Sequence, residues 1–592
     1  MTFEQTAILI LLAVILVMFI WGKLRYDIVT LLALGVAVIM GLVPADEMFS
    51  GFGHAATVTV AIVLMLSYGL TQSGAVESMT RLIDPLSKSP ALHLTALVVI
   101  AAFLSMFMNN VGALALIMPV AIQSTHKAKM TPSTILMPLS FGSILGGLVT
   151  LIGTPPNIII STYRKELTGT PFSMFDFSPV GGVIAAAGIA FVVLIGWRII
   201  KVRKTSDTTN LFEIESYLFE VKIPDENELI GKTVQDLDDS LNEYDITIAS
   251  MLHGRQYTPV VRRRHVFAVN DLLILEGKQD DVDKFVSKNG LVLLGADSAK
   301  EAILQSSDTA IMEVVVAPNA RIAERTVASI RFNTYYHVNL LAVSSSGKSH
   351  RGRLKSRKLK AGDVLLLHGE KDGLEETIAK LGCYPLAGNS VGFGKRKPLH
   401  ALAIFGFAIL STVVGTLPLQ VSLGGAVLLM VLLNIISVRE LYEGIDWPVV
   451  VLLGGMIPIG AALESTGATQ LIVDWLLGIA EGVPIVVILA AILIITMTLS
   501  DILNNAATAI LMAPIASAIA ASFGASVDPF LMAVAIGASC AFLTPIGHQN
   551  NALVMGPGGY QFSDYWRLGL PLEIIIVVVA SPMILWIWPL FP

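Results

Sequence analysis

The chain has 592 residues, of which 54% are hydrophobic and only 14% charged, with a formal net charge of −6. A soluble domain carries about a quarter charged residues, so the deficit places much of the surface against lipid, and the acidic balance excludes a general nucleic-acid-binding surface. The two cysteines, Cys383 and Cys540, fall in a polar and an apolar region, so no disulfide is expected.

The first apolar run, Ile8 to Ile20, follows residues without positive charge and lacks a small-residue cleavage pattern. It reads as a span, not as a cleaved signal peptide. Runs long enough to cross a bilayer occupy 4–21, 28–44, 54–75, 133–165 and 178–200. A polar insert at 205–395 follows, and then runs at 399–417, 421–438, 447–465, 527–556 and 567–590. Two further apolar regions, 91–126 and 483–524, are interrupted by Asn109-Asn110 and Asn504-Asn505. They read as hairpins that enter and leave by one face, because non-helical backbone at membrane depth survives only where protein or water satisfies it. The expected fold is a polytopic α-helical membrane protein with about ten spans, two re-entrant hairpins and an α+β insert.

With this topology Lys23, Arg25, Arg81, Lys88, Lys127, Lys129, Arg198, Lys201, Arg203 and Lys204 share one side, and Arg164 and Lys165 fall on the other. The excess of positive charge makes that side cytoplasmic. The expectation is a multi-pass protein of the cell inner (plasma) membrane, with residues 205–395 in the cytoplasm and both termini outside.

The sequence repeats itself. Ser105-Met-Phe-Met-Asn-Asn-Val through Ala121 lies over Ser500-Asp-Ile-Leu-Asn-Asn-Ala through Ala516, at an offset of 395 residues. Ile152-Gly-Thr-Pro-Pro-Asn157 lies over Ile546-Gly-His-Gln-Asn-Asn551, at an offset of 394. An odd number of crossings per half gives the halves opposite orientations, the plan of transporters whose sites form from discontinuous helices. The insert has its own repeat. Leu229-Ile-Gly-Lys-Thr-Val234 matches Ile322-Ala-Glu-Arg-Thr-Val327, and Asn270 to Gly277 matches Gly362 to Gly369. Each copy is expected to run as a strand (Tyr217–Ile223; Met312–Val316), a short helix, two strands and a helix (Asp280–Lys288; Gly373–Leu381). The domains are then 1–204, a first membrane repeat; 205–300 and 301–395, two insert lobes; and 396–592, a second membrane repeat.

Several residues are candidates for chemistry. An amide in hydrocarbon costs about 2–7 kcal/mol without partners, so duplicated Asn pairs point to a site at the hairpin tips. Their oxygens and unwound carbonyls suit Na⁺, and their NH₂ groups suit an oxyanion. Asn as helix-to-helix glue is the alternative. Pro155 suits the start of a helix capped by Thr154, whose dipole would favour an anion; the alternative is a simple proline kink. His548 either donates to substrate or is a bonded buried histidine. Asp501, where the first copy has Met106, is either an intramembrane functional carboxylate or solvated at a mouth. Arg262-Arg263-Arg264-His265 is either a phosphate-binding run or a solvated strand edge. Gly142, Gly146 and Gly147 read as sites of close helix packing.

These tips and breaks resemble the divalent anion/sodium symporter family, within the ion-transporter superfamily. Members carry Ser-Asn-Thr at each tip and a Gly-x-Pro-Pro-Asn-type break after it. Here the tips read Asn109-Asn110-Val111 and Asn504-Asn505-Ala506; the break Gly153 to Asn157 is close to the pattern, and Gly547 to Asn551 diverges. The insert resembles two tandem TrkA-C domains, which mark a subgroup that includes sulfate permeases. The resemblance implies secondary transport with Na⁺ as coupling ion, a homodimer in the lipid membrane and an elevator-type movement. The substrate contacts would be Asn109, Asn110, Thr154, Asn157, Asn504, Asn505, Thr508, His548 and Asn551. Na⁺ would lie near Asn110, Gly153, Asn157, Asn505, Gly547 and Asn551. The tips lack the Ser and Thr hydroxyls that dicarboxylate transporters of the family use, which favours a small inorganic anion, sulfate first. Related inserts bind small regulatory ligands, including cyclic dinucleotides. Na⁺/H⁺ antiport through Asp501 and His548 is the competing reading. A K⁺ channel would need a TVGYG-type filter, and an enzyme would need a nucleophile–base pair, metal cluster or phosphate loop.

Overall fold

The computed structural model describes residues 1–21, 24–73, 89–128, 131–200, 218–244, 246–253, 256–258, 261, 264–276, 279–294, 309–318, 320–345, 348–350, 357–386, 397–479 and 482–591. The first half runs α1 (Phe3–Trp21), α2 (Tyr26–Ile39), α3 (Ala55–Gln72), α4 (Pro90–Ser105), α5 (Asn110–Ala128), α6 (Pro132–Gly147), α7 (Pro155–Thr168) and α8 (Ser178–Phe191), which continues through a π-turn to Ile199. Proline opens α4, α6 and α7, where its missing N–H costs nothing and its fixed φ suits the first turn. Gly169, at φ 83°, closes α7 in the left-handed conformation that a residue without Cβ adopts freely.

The insert forms two lobes of one design. The first holds β1 (Leu218–Lys222), α9 (Asp238–Glu243), β2 (Thr247–His253), β3 (Gln256–Thr258), β4 (Leu272–Glu276), α10 (Gln279–Lys288) and β5 (Val292–Leu294). The second holds β6 (Thr309–Val316), α11 (Val327–Ile330), α12 (Phe332–Tyr336), β7 (Val338–Ser345), β8 (Lys348–His350), β9 (Val364–Glu370), α13 (Lys371–Leu381) and β10 (Cys383–Pro385). The antiparallel sheets have orders β3-β2-β4-β1-β5 and β10-β6-β9-β7-β8, the same topology read from opposite edges. The duplication reaches backbone detail. Bulges fall at Ile248/Ser250 and Leu340/Ala342, and positive φ falls at Gly231 and Glu324 and again at Asn270 and Gly362. Each lobe has more strands than expected. Those missed, β3, β5, β8 and β10, are three residues long and too short to show alternation. Of the basic run, Arg262 and Arg263 lie outside the described residues, and Arg264 is exposed in the loop before β4.

The second lobe packs on the membrane helices. One sheet face, with Val314, Val316, Leu365 and Leu367, covers the lobe's own core. The other face, with Val315, Ala342, Val364 and Leu366, joins the core built by the membrane helices. The first lobe keeps a separate core around Val221, Met251, Leu273 and Phe285.

Glu313 on β6 has Oε2 buried without a partner, and burial pushes its carboxyl up to about 7 from 4.5. Between those values the folded lobe holds a proton that the unfolded chain has released. Stability should therefore fall as pH rises from about 4.5 to about 7 and level off above, a loss on the order of 3 kcal/mol. Thermal unfolding of the full chain across that range should show the slope, and Glu313→Gln should flatten it. An equal slope in the variant would remove Glu313 as its source.

The second half runs α14 (Pro398–Val413), α15 (Leu419–Leu432), α16 (Val438–Glu443), α17 (Trp447–Ser465), α18 (Ala468–Ile479), α19 (Ile485–Ser500), α20 (Asn505–Ser522), α21 (Val527–Ser539), α22 (Gln549–Met555) and α23 (Tyr565–Ile587). Its packing repeats that of the first half. Helix α4 lies on α6 as α19 lies on α21, and α2 meets α17 as α15 meets α3. Helix α8 packs against α23, where the two halves meet. Gly142 sits over Val98 and Gly537 over Leu493 and Thr496, residues related by the same 395-residue offset, so the close packing expected of Gly142 recurs in the other half.

Six helical stretches among the described residues are long and apolar enough to cross a membrane: Phe3–Trp21, Ala45–Gln72, Ser178–Ile199, Trp447–Ser465, Asn505–Ser522 and Phe562–Ile587. The runs at 28–44, 399–417 and 421–438 shorten to α2, α14 and α15, because their apolar ends lie in turns. The runs at 133–165 and 527–556 are each two helices, parted at 148–154 and 540–548. The amphipathic α18 carries Gln470 bonded to Asp474, and at 12 residues it is too short to have read as a span. The corresponding stretch of the first half, and the basic residues Lys23, Arg81, Lys88, Lys129, Lys201, Arg203 and Lys204, lie outside the described residues.

Candidate functional site

At each tip the first Asn caps and the second reaches into the fold. Asn109 Oδ1 accepts from the Val111 N–H at 3.3 Å, and Asn504 Oδ1 accepts from the Ala506 N–H at 2.9 Å. This is the N-cap bond that lets Asn open a helix, so α5 and α20 each point their positive end at a tip. The second Asn is held by the serine five residues before it. Ser105 donates to Asn110 Oδ1 at 2.5 Å, and Ser500 donates to Asn505 Oδ1 at 2.8 Å. In the sequence the signal for these serines is their one fixed spacing before the Asn pair in both repeats.

The breaks are clipped in the same repeated way. Asn157 Nδ2 donates to Thr150 O at 2.9 Å and Gly147 O at 3.5 Å; Asn551 Nδ2 donates to Thr544 O and Ala541 O, both at 3.1 Å. Thr150 and Thr544 donate to the tip carbonyls of Met106 and Asp501. Each break is thus tied to its tip, and unwound carbonyls that would otherwise be orphaned find donors. Glycines allow the approach. A Cβ on Gly181 would lie 2.2 Å from Leu148 O, and one on Gly569 would lie 2.4 Å from Phe542 O. Gly147 leaves room for the Asn110 amide, 2.5 Å from where its Cβ would stand.

The first tip and the second break touch directly. Asn110 Nδ2 lies 3.1 Å from His548 Nε2, and Asn550 Nδ2 donates to Asn110 O at 3.3 Å. Ser140 on α6 donates to Asn551 Oδ1 at 2.8 Å. His548 Nδ1 accepts from the Asn550 N–H at 3.1 Å, so the ring both caps α22 and meets the tip. In the repeat, the partner position of His548 is Thr154. Thr154 stands at the N-cap position of α7, but its side chain makes no capping bond, and its Oγ1 is buried without a partner. The expected Thr154 cap is therefore absent. Asn550 Oδ1 is likewise buried and unpartnered. Thr508 is buried in the first turn of α20 and donates back to Asn504 O at 3.2 Å.

Asn110, Thr154, Asn157, Thr508, His548 and Asn551 are buried, and Asn109, Asn504 and Asn505 are partly exposed. Asp501 is 2% exposed, which removes the solvated-mouth reading. Its Oδ1 accepts from the Leu543 N–H at 2.8 Å, beside Glu573 of α23, whose Oε1 accepts from the Phe542 N–H at 3.4 Å. Glu573 escaped the sequence reading, although a lone acid inside a 23-residue apolar helix was the signal.

Comparison with known proteins places this architecture. Residues 16–537 match the family described as citrate transporter (CitMHS). A protein of Synechocystis sp. named an uncharacterized transporter is 31% identical, over 98% of this chain and 96% of that protein. The uncharacterized transporter YfbS of Escherichia coli is 30% identical, over 99% of both. Sodium/sulfate cotransporter 2 of Chlamydomonas reinhardtii is 24% identical, over 55% of this chain and 38% of that protein. The resemblance drawn from the tips thus reaches the right superfamily, and the family that matches is the citrate transporter branch. With most of its length covered by that match, the chain is a multi-pass membrane transporter of the citrate transporter family.

Proposed function

We propose that the chain carries a small divalent oxyanion, sulfate first, into the cell by symport with Na⁺. The observation that carries this reading is the pair of Asn-capped helix starts, with buried unpartnered acceptor and hydroxyl atoms at the two breaks beside them. An anion there would meet the positive ends of α5, α7 and α20, with the amides of Asn110 and Asn505. Na⁺ would be held by amide oxygens and unwound carbonyls near Asn110, Gly153, Asn157, Asn505, Gly547 and Asn551. The partial likeness to a sodium/sulfate cotransporter favours sulfate, and the family description favours citrate as the second candidate. Uptake of radiolabelled sulfate into proteoliposomes, with and without a Na⁺ gradient and with citrate as competitor, decides between them. No sulfate uptake under either condition would end the sulfate reading.

Neither tip nor break holds Lys or Arg, so co-bound Na⁺ would be the largest positive charge at the anion. Sulfate affinity should then rise about 5–150-fold from choline to Na⁺ buffer, the span of ordinary coupling energies. Equal binding in the two buffers would refute Na⁺ as the coupling ion. The wider proposal comprises inverted halves with re-entrant tips, a homodimer, an elevator-type movement, and a cytoplasmic insert of two TrkA-C domains that senses a small ligand. Replacing 206–393 with a flexible linker tests the last part, and unchanged rate and affinity would count against it.

A further inference from the structure

The second lobe sits on the membrane helices with a face that a permanent contact would not carry. Residues directly opposite one another in an antiparallel sheet share one face. On β9 the residues Val364, Leu366 and His368 share a face, with Val315 and Ser344 opposite Val364, Glu313 and Ala342 opposite Leu366, and Asn339 opposite His368. Val315, Ala342, Val364 and Leu366 join the membrane core, so Glu313, Asn339, Ser344 and His368 lie on the docked side with them.

Three of these four polar side chains end in a buried atom without a partner: Glu313 Oε2, Ser344 Oγ and His368 Nε2. Ser344 and His368 are 1% and 2% exposed. Water would serve all three atoms, so docking forfeits their hydrogen bonds. Polar groups in a settled interior are nearly all paired. The rows that hold Ser344 and His368 are four residues apart on β9, about 13 Å at about 3.4 Å per residue, so the three atoms do not converge on one small ligand. Spread across the seat, they lower the stability of the docked arrangement instead.

The lobe does not need its seat to stay folded. Its own core, with Val314, Val316, Leu365 and Leu367, lies on the other face. The first lobe has the same sheet without a seat. There Glu220 pairs with Ile274 as Glu313 pairs with Leu366, yet no residue of that lobe enters the membrane core among the described residues. Val292, which holds the place of Tyr384, is 46% exposed, whereas Tyr384 packs against both the lobe's core and the membrane core.

Docked, the lobe grips two sets of helices. Gly362 meets Ala552 and Gly556 behind Asn550 and Asn551 of the second break, and Tyr384 lies near Tyr68 of α3. We propose that the docked second lobe is a brake: it holds the second break against α3, and it leaves its seat as a folded body to free that break. The unpartnered atoms of the seat keep docking weak enough for release. Contacts between domains of one chain that must part are of this mixed, incompletely apolar kind.

The braking rests on the transport reading above, so the first test does not use it. The purified full-length S344C protein is treated with N-ethylmaleimide, and labelling is read by mass spectrometry. The introduced thiol is compared with native Cys383, which is buried in the lobe's own core. Release of a folded lobe should let the introduced thiol react at least about 10-fold faster than Cys383. Equal rates at the two thiols would show the lobe unfolding, and protection of both would show it fixed; either overturns the proposal. Adding E313M and H368L replaces two unpartnered atoms with apolar ones and should slow the introduced thiol about 10-fold or more. Continued protection of Cys383 reports that the variant is folded, and H368L alone should move the rate in the same direction. In proteoliposomes, E313M/H368L should slow sulfate uptake several-fold, and native uptake by the folded variant overturns the brake. If the native protein takes up no sulfate, the sulfate reading falls, and the labelling alone upholds or overturns the release of the lobe.

Discussion

Replacing Asn110 with alanine is expected to bring anion uptake to background while the protein still folds. The change removes an amide that accepts from Ser105, lies 3.1 Å from His548 and rests where Gly147 makes room for it. A hydrogen bond to a charged ligand is worth about 1.5–3 kcal/mol, so loss of that contact alone would cost about 10–100-fold in uptake. Loss of the link between tip and break adds to it. Asn505→Ala should also stop uptake, and it should cost less stability. Asn505 is partly exposed, and Ser500 keeps a second acceptor in Ala538 O at 2.5 Å. In the Asn110 variant the His548 ring loses its neighbour in the interior. Monodisperse elution and a cooperative melt would establish folding in both. Native uptake in both variants would sink the assignment of the tips.

What the sequence made legible follows from what repeats. The Asn pairs, the breaks and the insert motifs are visible because each occurs twice with the same neighbours, and the matching bonds of Ser105 and Ser500 show that the spacing was under the same constraint in both copies. The helix ends were less legible, since Val43 and Leu42 are as apolar as a span yet are buried in the turn after α2. The asymmetric features were hardest to read. His548 reaches Asn110 because imidazole is longer than the Thr154 side chain, and Glu573 meets Asp501 across two helices far apart in sequence. Nothing in either local pattern announces the partner. The second lobe's dual-faced sheet was legible only as an unbroken apolar run, Val364 to Leu367, of the kind a strand buried on both sides requires.

Gly556→Ala is expected to separate the second lobe from the candidate site. A Cβ on Gly556 would lie 1.6 Å from Gly362 O, and one on Gly362 would lie 2.3 Å from Ala552 O. Backbone meets backbone there, so no flexible side chain can yield. Gly362 also holds φ at 81°, in the left-handed region that its counterpart Asn270, exposed in the first lobe, adopts as well. The helix on the other side of this contact is α22, which carries Asn550 and Asn551 behind the His548 cap. The same lobe reaches other helices through Glu376 of α13, near Arg439 of α16, and through Tyr384, near Tyr68 of α3. The lobe therefore bridges α22 to helices outside the breaks, and a shift of the lobe is a shift of one relative to the other. Overpacking of this kind typically costs about 1–3 kcal/mol. Hydrogen exchange should quicken along Val364–Leu366, and sulfate uptake should change several-fold. Gly406→Ala on α14 is the control, since nothing lies within 4 Å of its Cβ position. If Gly556→Ala matches that control in exchange and in uptake, the lobe is not coupled to the site through α22.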